Sequence, residues 1–297
     1  LVSHSYTDAS SNLISYQVAQ YDFNRVNIGD GVNVVLNGSN PLFLNVAGDA
    51  TILADLDANG TEGFYLQNVE TVVPGKLGGG HGGHEVITSS GPGGGPAHLT
   101  SADPFNSGGA PFKGYGNLAP TTLIAANPPG GGSYGGIGGR PEPVGGQTDE
   151  FTISASGKTY GDADITHLFG GSGGGGGDQR EGGSGGGAIK VVASGTLTIG
   201  GNLWATGGKG GTVANNTNAP LMGGSGSGGA IYLKAQNLVI NSGVVISADG
   251  AAGATNGTAG NIYAKDGGGD GSAAGGGGRI YLEGTRSLVN NASTTNS

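Results

Sequence analysis

Three segments of the chain open on glycine and then alternate apolar residues in the same way, and this recurrence limits what the chain can fold into. They are GGGAIKVVASGTLTIGGNLWATGGKGG from Gly185, GSGGAIYLKAQNLVINSGVVISADGAAG from Gly226 and GGGGRIYLEGTRSLVNNAS from Gly275. The shared motif is Gly-Gly-[Ala/Arg]-Ile-x-[Val/Leu], aligned at Ala188, Ala230 and Arg279 with spacings of 42 and 49 residues. One copy holds too few strands to bury a face. Stacked copies can bury one, because each bonds to the next along a common axis. The expected fold is therefore an all-β β-solenoid, parallel β-helix-like, with long glycine-rich loops. Ile189, Ile231 and Ile280 form one inward ladder in this reading, and Leu197 and Leu238 another. Glycine sits at the corners, and an antiparallel sandwich is the rival architecture.

The organisation expected around these copies has five parts. Residues 1–25 read as an N-terminal cap or a strand donated to a neighbour. Residues 26–74 read as the first solenoid turns, with strands at Val26–Ile28, Val32–Leu36, Leu42–Val46 and Ala50–Leu56 separated by Gly, Asn, Asp and Pro breakers. Residues 75–150 form a Gly/Pro-rich insertion, residues 151–287 the C-terminal repeats and residues 288–297 a tail. In the insertion, YGGIGG has the triplet glycine spacing of polyglycine-II segments, which have no internal hydrogen bonds and must bundle to be ordered.

Glycine supplies 69 of the 297 residues, and a share this high usually marks disorder. Here the aliphatic residues are concentrated in short alternating runs that can stack. The net charge of −9 argues against a nucleic-acid partner, which requires a basic face. Having no cysteine excludes a disulfide framework, a thiolate zinc site and a thiol nucleophile. No apolar run reaches the length of a membrane span. The chain starts at Leu1 without an initiator Met, which reads as a processed or trimmed end.

No catalytic constellation emerges, and the expectation is a protein that is not an enzyme. Gly170–Gly174 and Gly182–Gly186 match G-x-S-x-G, but neither has the strand-to-helix context that exposes a nucleophile. Gly157-Lys158-Thr159 ends like a phosphate loop but lacks the earlier glycine and the following helix. His81, His84 and Glu85 lie on glycine neighbours that preset no metal geometry. Asp55, Asp57 and Asn59 resemble the start of a calcium loop without the closing bidentate Glu, since Leu66 stands at the twelfth position. They are the metal-site expectation, with calcium the one cofactor considered; Asp266 and Asp270 are a second oxygen pair. Trp204 and the tyrosines are candidates for a sugar-binding groove, and Tyr232 and Tyr281 for an outward stripe at a subunit contact. Asn37, Asn59, Asn215, Asn256 and Asn291 begin Asn-x-Ser/Thr sequons.

NPLFLNVAGDATILADLDANG, TYGDADITHLFGGSGGGGG and the repeat from Gly226 together resemble a glycine-rich repeat family of predicted secreted and surface proteins of bacteria. The resemblance covers most of Val26 to Glu283. The chain departs from the family pattern in its longer, Pro-containing insertion between Gly75 and Glu150. The family's function is largely unassigned, so the resemblance implies a location, extracellular or cell-surface, and no catalytic residues.

The expected function is an extracellular structural or adhesive protein, a self-assembling subunit of a surface filament or matrix. Its partner is another copy of itself, by strand donation from residues 1–25, with surface glycans as further partners. The alternatives are a glycan- or ice-binding module and a polysaccharide-active β-helix enzyme. Thr196-Leu197-Thr198 is not repeated at Leu238-Val239-Ile240, which weighs against ice binding, and dispersed acids weigh against the enzyme.

Overall fold

The computed structural model describes residues 1–7, 13–64, 72–83, 90, 131–138, 159–176, 181–211, 223–253 and 274–295. The motif copies form long strands, β7 (Ala188–Ile199), β9 (Ala230–Ile240) and β11 (Arg279–Asn290). They lie side by side and parallel. Ala188 pairs with Ala230 and Ala230 with Arg279, so Ile189, Ile231 and Ile280 share one row and Leu197, Leu238 and Leu288 another. β4 (Leu42–Val46) and β5 (Ala50–Ile52) together pair with β7. In the same way β2 (Leu13–Phe23) and β3 (Val26–Ile28) pair with β4 and β5. Among the described strands only β1 (Val2–Thr7) runs antiparallel, against the first half of β2. Among the described residues the result is an eight-stranded sheet.

Each long strand turns back into a short one. β6 (Leu56–Asp57), β8 (Leu203–Trp204), β10 (Val245–Ser247) and β12 (Ser293–Thr295) form a second, four-stranded parallel sheet in chain order. Gly243, at φ +83°, makes the turn into β10, a backbone conformation that suits glycine. Alternate residues of the large sheet point inward. Ile189, Val191, Leu197, Ile199, Ile231, Leu233, Leu238 and Ile240 meet Leu56, Leu203 and Ile246 of the small sheet in one buried core. A bend crosses the large sheet where β4 gives way to β5. There β7 and β11 each carry one more residue than β9, at Ser194-Gly195 and Thr285-Arg286 against Gln236.

The glycine stretches form a third part of the fold. Residues 181–187 enter β7 as an extended strand whose successive N–H groups turn to different neighbours. Glu181, Ser184 and Gly187 donate to Phe64, Thr61 and Ala58 carbonyls at 2.7–3.2 Å. Gly182, Gly185 and Ala188 donate to Gly83, Gly80 and Leu77 at 2.8 Å, and Gly183 and Gly186 to Gly224 and Ser227 at 2.9 Å. The bonding repeats every three residues, the period of a polyproline II chain, which has no bonds of its own and satisfies its backbone on neighbours. Strands 75–83, 168–175, 205–211, 223–229 and 274–278 join the same array. A methyl group on Gly186 would collide with the carbonyl oxygen of Ala205, and one on Gly183 with that of Gly208.

The all-β β-solenoid with glycine-rich loops is thereby corrected. The described residues form a parallel sheet with crossover connections, as in α/β folds, and no helix among those residues makes the crossing. A solenoid turn is lined with inward apolar side chains on every side, whereas here glycine strands packed mainly backbone to backbone, with a few buried serines, occupy the crossovers. The segment expected as a strand at Val32–Leu36 has no strand partner among the described residues. β11 and β12 run through residues 288–295, which had been set apart as a tail. Most of the insertion expected at 75–150 lies outside the described residues; 75–83 and 131–138 belong to the glycine array or border it.

Candidate interaction surfaces

The outer face of the large sheet carries a row formed by Phe43, Lys190, Tyr232 and Tyr281, placed opposite one another by the strand register. The Lys190 ammonium lies between two rings, 5.1 Å from the centre of Phe43 and 4.5 Å from that of Tyr232. Burial, aided by the charge of Lys234, lowers its pKa. Tyr232 and Tyr281 stack at 4.8 Å and 10°. Tyr232 is nevertheless buried, because Ile165 and Leu168 pack with it in a second core. The expected outward tyrosine stripe is thus covered at Tyr232 and half-open at Tyr281.

One row further along, Lys234 meets Glu283 at 2.9 Å, and Tyr281 Oη donates to the same carboxylate at 2.9 Å. The Lys234 and Tyr281 hydrogen bonds lower the Glu283 pKa, and the bond to Glu283 raises those of Lys234 and Tyr281. At the opposite end of this row Asp22 accepts from Asn45 at 2.7 Å and from Gln20 at 2.9 Å, which lowers its pKa.

The second core holds Tyr134 and Tyr160, with ring centres 4.7 Å apart. Arg279 lies 5.5 Å above the Tyr134 ring and donates to the Tyr160 carbonyl at 3.0 Å. Burial pushes the Tyr134 phenol up. Nearby, His167 Nδ1 and Asp162 Oδ1 are 3.0 Å apart. Burial opposes ionisation of Asp162, but hydrogen bonds from His167 and Thr166 outweigh it and lower its pKa. Composition gave no signal for this cluster, since its members come from segments spread between Tyr16 and Tyr281.

The two G-x-S-x-G tracts fall inside the glycine array. Ser184 Oγ accepts the Thr61 N–H at 2.7 Å, and Ser227 Oγ accepts that of Ser172 at 2.8 Å. Ser172 Oγ donates to Tyr160 Oη at 3.0 Å. Ser172 and Ser184 are fully buried. These hydroxyls complete backbone bonding and offer no accessible nucleophile.

Asp55, Asp57 and Asn59 share one face of an extended segment, since Ala54, Leu56 and Ala58 between them are buried. Their oxygens are engaged separately. Asp55 Oδ1 accepts from Asn202 N at 2.7 Å, and Asp57 Oδ1 from Asn59 N at 2.8 Å. Asn59 Oδ1 takes the N–H of Thr206 at 2.9 Å and its hydroxyl at 2.7 Å. Asp49 treats Thr196 as Asp55 treats Asn202, and Asn202 Oδ1 in turn accepts Val245 N. Side-chain oxygens thus bond each level of the stack to the next. Among the described residues no group of three His, Cys, Asp or Glu converges as metal ligands. His84, Glu85, Asp266, Asp270, Lys158, Asn215 and Asn256 lie outside the described residues. Trp204 is half-buried in β8.

Both sheets end in strands without a further partner among the described residues. β11 pairs with β9 alone and β12 with β10 alone. Residues 19–28 of β2 and β3 pair only with β4 and β5. Inward-row residues are exposed at both ends, Tyr21 and Phe23 at one and Leu288 at the other.

Beside β6, residues 31–37 stand off and leave a groove of about 540 Å³ lined by Asp30, Leu36, Leu53, Asp55, Asp57 and Lys76 among others. Lys76 Nζ lies 3.6 Å from Asp57. No helix among the described residues is long and apolar enough to cross a membrane. The chain matches no protein-family model, no curated protein and no solved structure.

Proposed function

We propose that the protein is an extracellular structural protein, a subunit of a surface filament or matrix, and that its copies add end to end through the open edges of the large sheet. The observation that carries this reading is the register. Rows run unbroken from residues 19–28 to β11, so a second copy placed on β11 can continue every row. Ala19 and Tyr21 of that copy would follow Ile280 and Leu282, and its Phe23 would follow Gly284. Its Val26 would follow Leu288. An open parallel edge with exposed apolar residues is a ready template for strand addition. A joint that repeats head to tail without closing builds a filament.

Along the same row Asp22 of the added copy would face Glu283. Like charges opposite one another weaken a strand pair. The experiment is negative-stain microscopy with light scattering over a concentration series, on the native chain, Leu288→Lys and Asp22→Asn. End-to-end particles are expected for the native chain. Leu288→Lys should shift assembly to at least tenfold higher concentration, and Asp22→Asn should lower the required concentration. Monomers at every concentration, or assembly indifferent to both substitutions, overturns the reading.

A further inference from the structure

The groove beside β6 has the features of a strand-acceptor site. In a parallel ladder, alternate peptide groups bond to opposite sides. Leu56 N and Ala58 N donate to Asn202 and Trp204 of the β8 side at 2.8 and 2.7 Å. The peptide groups of Asp55 and Asp57 therefore face the groove, and neither N–H makes a backbone bond among the described residues. In this layer β8 and β10 are paired on both sides, and β12 is the opposite edge. Residues 31–37 stand off from β6 with Val34 and Leu36 packed against the core, and the groove between the two segments stays open.

We propose that this groove binds an extended peptide of alternating basic and apolar residues as an added strand on β6. Backbone bonds to an exposed edge supply affinity in this mode, and side-chain subsites supply selection. The charge of the groove selects the basic residues. Among the described residues Asp30, Asp55 and Asp57 line it against one cation, Lys76, whose ammonium is within ion-pair range of Asp57 alone. Asp55 and Asp57 are two residues apart on one face of β6, so they would face alternate side chains of an added strand. The intervening apolar side chains would meet Leu36 and Leu53 on the groove wall.

The test uses three labelled hexapeptides: alternating Lys and Val, alternating Glu and Val, and the Lys–Val peptide N-methylated at alternate residues. Binding is read by fluorescence anisotropy at protein concentrations where light scattering shows a single species, so the result does not depend on assembly. Saturable binding of the Lys–Val peptide is expected, with at least tenfold weaker binding of the other two. The double variant Asp55→Asn, Asp57→Asn keeps both Oδ1 acceptors and hence the fold, which an unchanged melting curve verifies. It should bind the Lys–Val peptide at least tenfold less tightly. The proposal fails if the Lys–Val peptide does not saturate, if N-methylation is without effect, or if the correctly folded double variant binds as well as the native chain.

Discussion

Residues 181–187 and residues 188–199 follow each other in the chain, yet different forces hold them. In β7, side chains do most of the work. Ile189, Val191, Leu197 and Ile199 are fully buried between two sheets, and burial of each such side chain contributes about 1.5–3 kcal/mol. The preceding strand has almost no side chains to bury. Its neighbours come so close that the space a Cβ needs is filled by their backbone. Its stability rests on peptide hydrogen bonds in three directions, each worth roughly 0.5–1.5 kcal/mol net. That gain must offset the large entropy cost of ordering glycine. The sheet tolerates any residue of suitable shape, whereas the array leaves room for a side chain only at set positions, such as Ser172, Ser184 and Ser227, and elsewhere requires glycine.

This difference is open to direct attack. The largest effect is expected from Gly186→Val. The neighbouring carbonyl of Ala205 belongs to backbone bonded on several sides and cannot yield as a side chain would. Overpacking against backbone should exceed about 4 kcal/mol, the range reached only by severe substitutions. Chemical denaturation should show a chain largely unfolded in buffer. Leu233→Ala removes a fully buried side chain from the sheet core. It should cost about 2–5 kcal/mol and leave a folded protein with a lower midpoint. If the valine proves milder than the alanine, the glycine strands are not close-packed and the comparison fails.

Ser184→Ala tests the array more gently. The hydroxyl that accepts the Thr61 N–H at 2.7 Å is lost, and the donor is left without that acceptor. A loss of about 1–3 kcal/mol is expected in the same denaturation series. No change would mean that the N–H finds another acceptor.

The two regions were unequally legible in the sequence. Ile189, Ile231 and Ile280 announce their shared row because apolar alternation recurs after the same glycine motif. The partners of the first level were harder to place, since a long insertion separates Asp49, Asp55 and Asn59 from Thr196, Asn202 and Thr206. All three pairs nevertheless bridge 147 residues. That constant offset was available as a signal, in Asp/Asn followed at a fixed distance by Thr/Asn, but it is invisible without knowing that the intervening chain loops out. Apart from YGGIGG, which reads as a polyglycine-II segment, the glycine stretches read as loops for a physical reason. Periodicity analysis counts side chains, and the array's order resides in backbone groups common to all residues. The Tyr134–Tyr160–Arg279 cluster has no sequence signal because its members come from three segments far apart in the chain. The sequence marks Asp55, Asp57 and Asn59 only as the start of a calcium loop; the groove beside them depends on residues 31–37 failing to pair with β6, which no local pattern encodes.

The smallest effect is expected at the sheet's outer edge, where Glu283 joins Lys234 and Tyr281 in contact with water. The folded-state pKa of Glu283 lies below its ordinary value, so its contribution is complete above the ordinary glutamate range and disappears as pH falls through the lowered value. The pKa of Lys234 is raised, so its contribution is complete below the ordinary lysine range and disappears as pH rises through the raised value. Native chain and Glu283→Gln should therefore differ slightly in urea midpoint at neutral pH and coincide in acid. High salt should shrink the neutral-pH difference, because exposed pairs are screened. A difference that persists in acid would show that the glutamine perturbs β11 by something other than lost charge. The acid series also separates the two uses of this residue. Protonating Glu283 and Asp22 should slightly weaken the single molecule, yet it removes the like-charge contact expected at the joint between copies. Stability and assembly should consequently move in opposite directions as the pH falls.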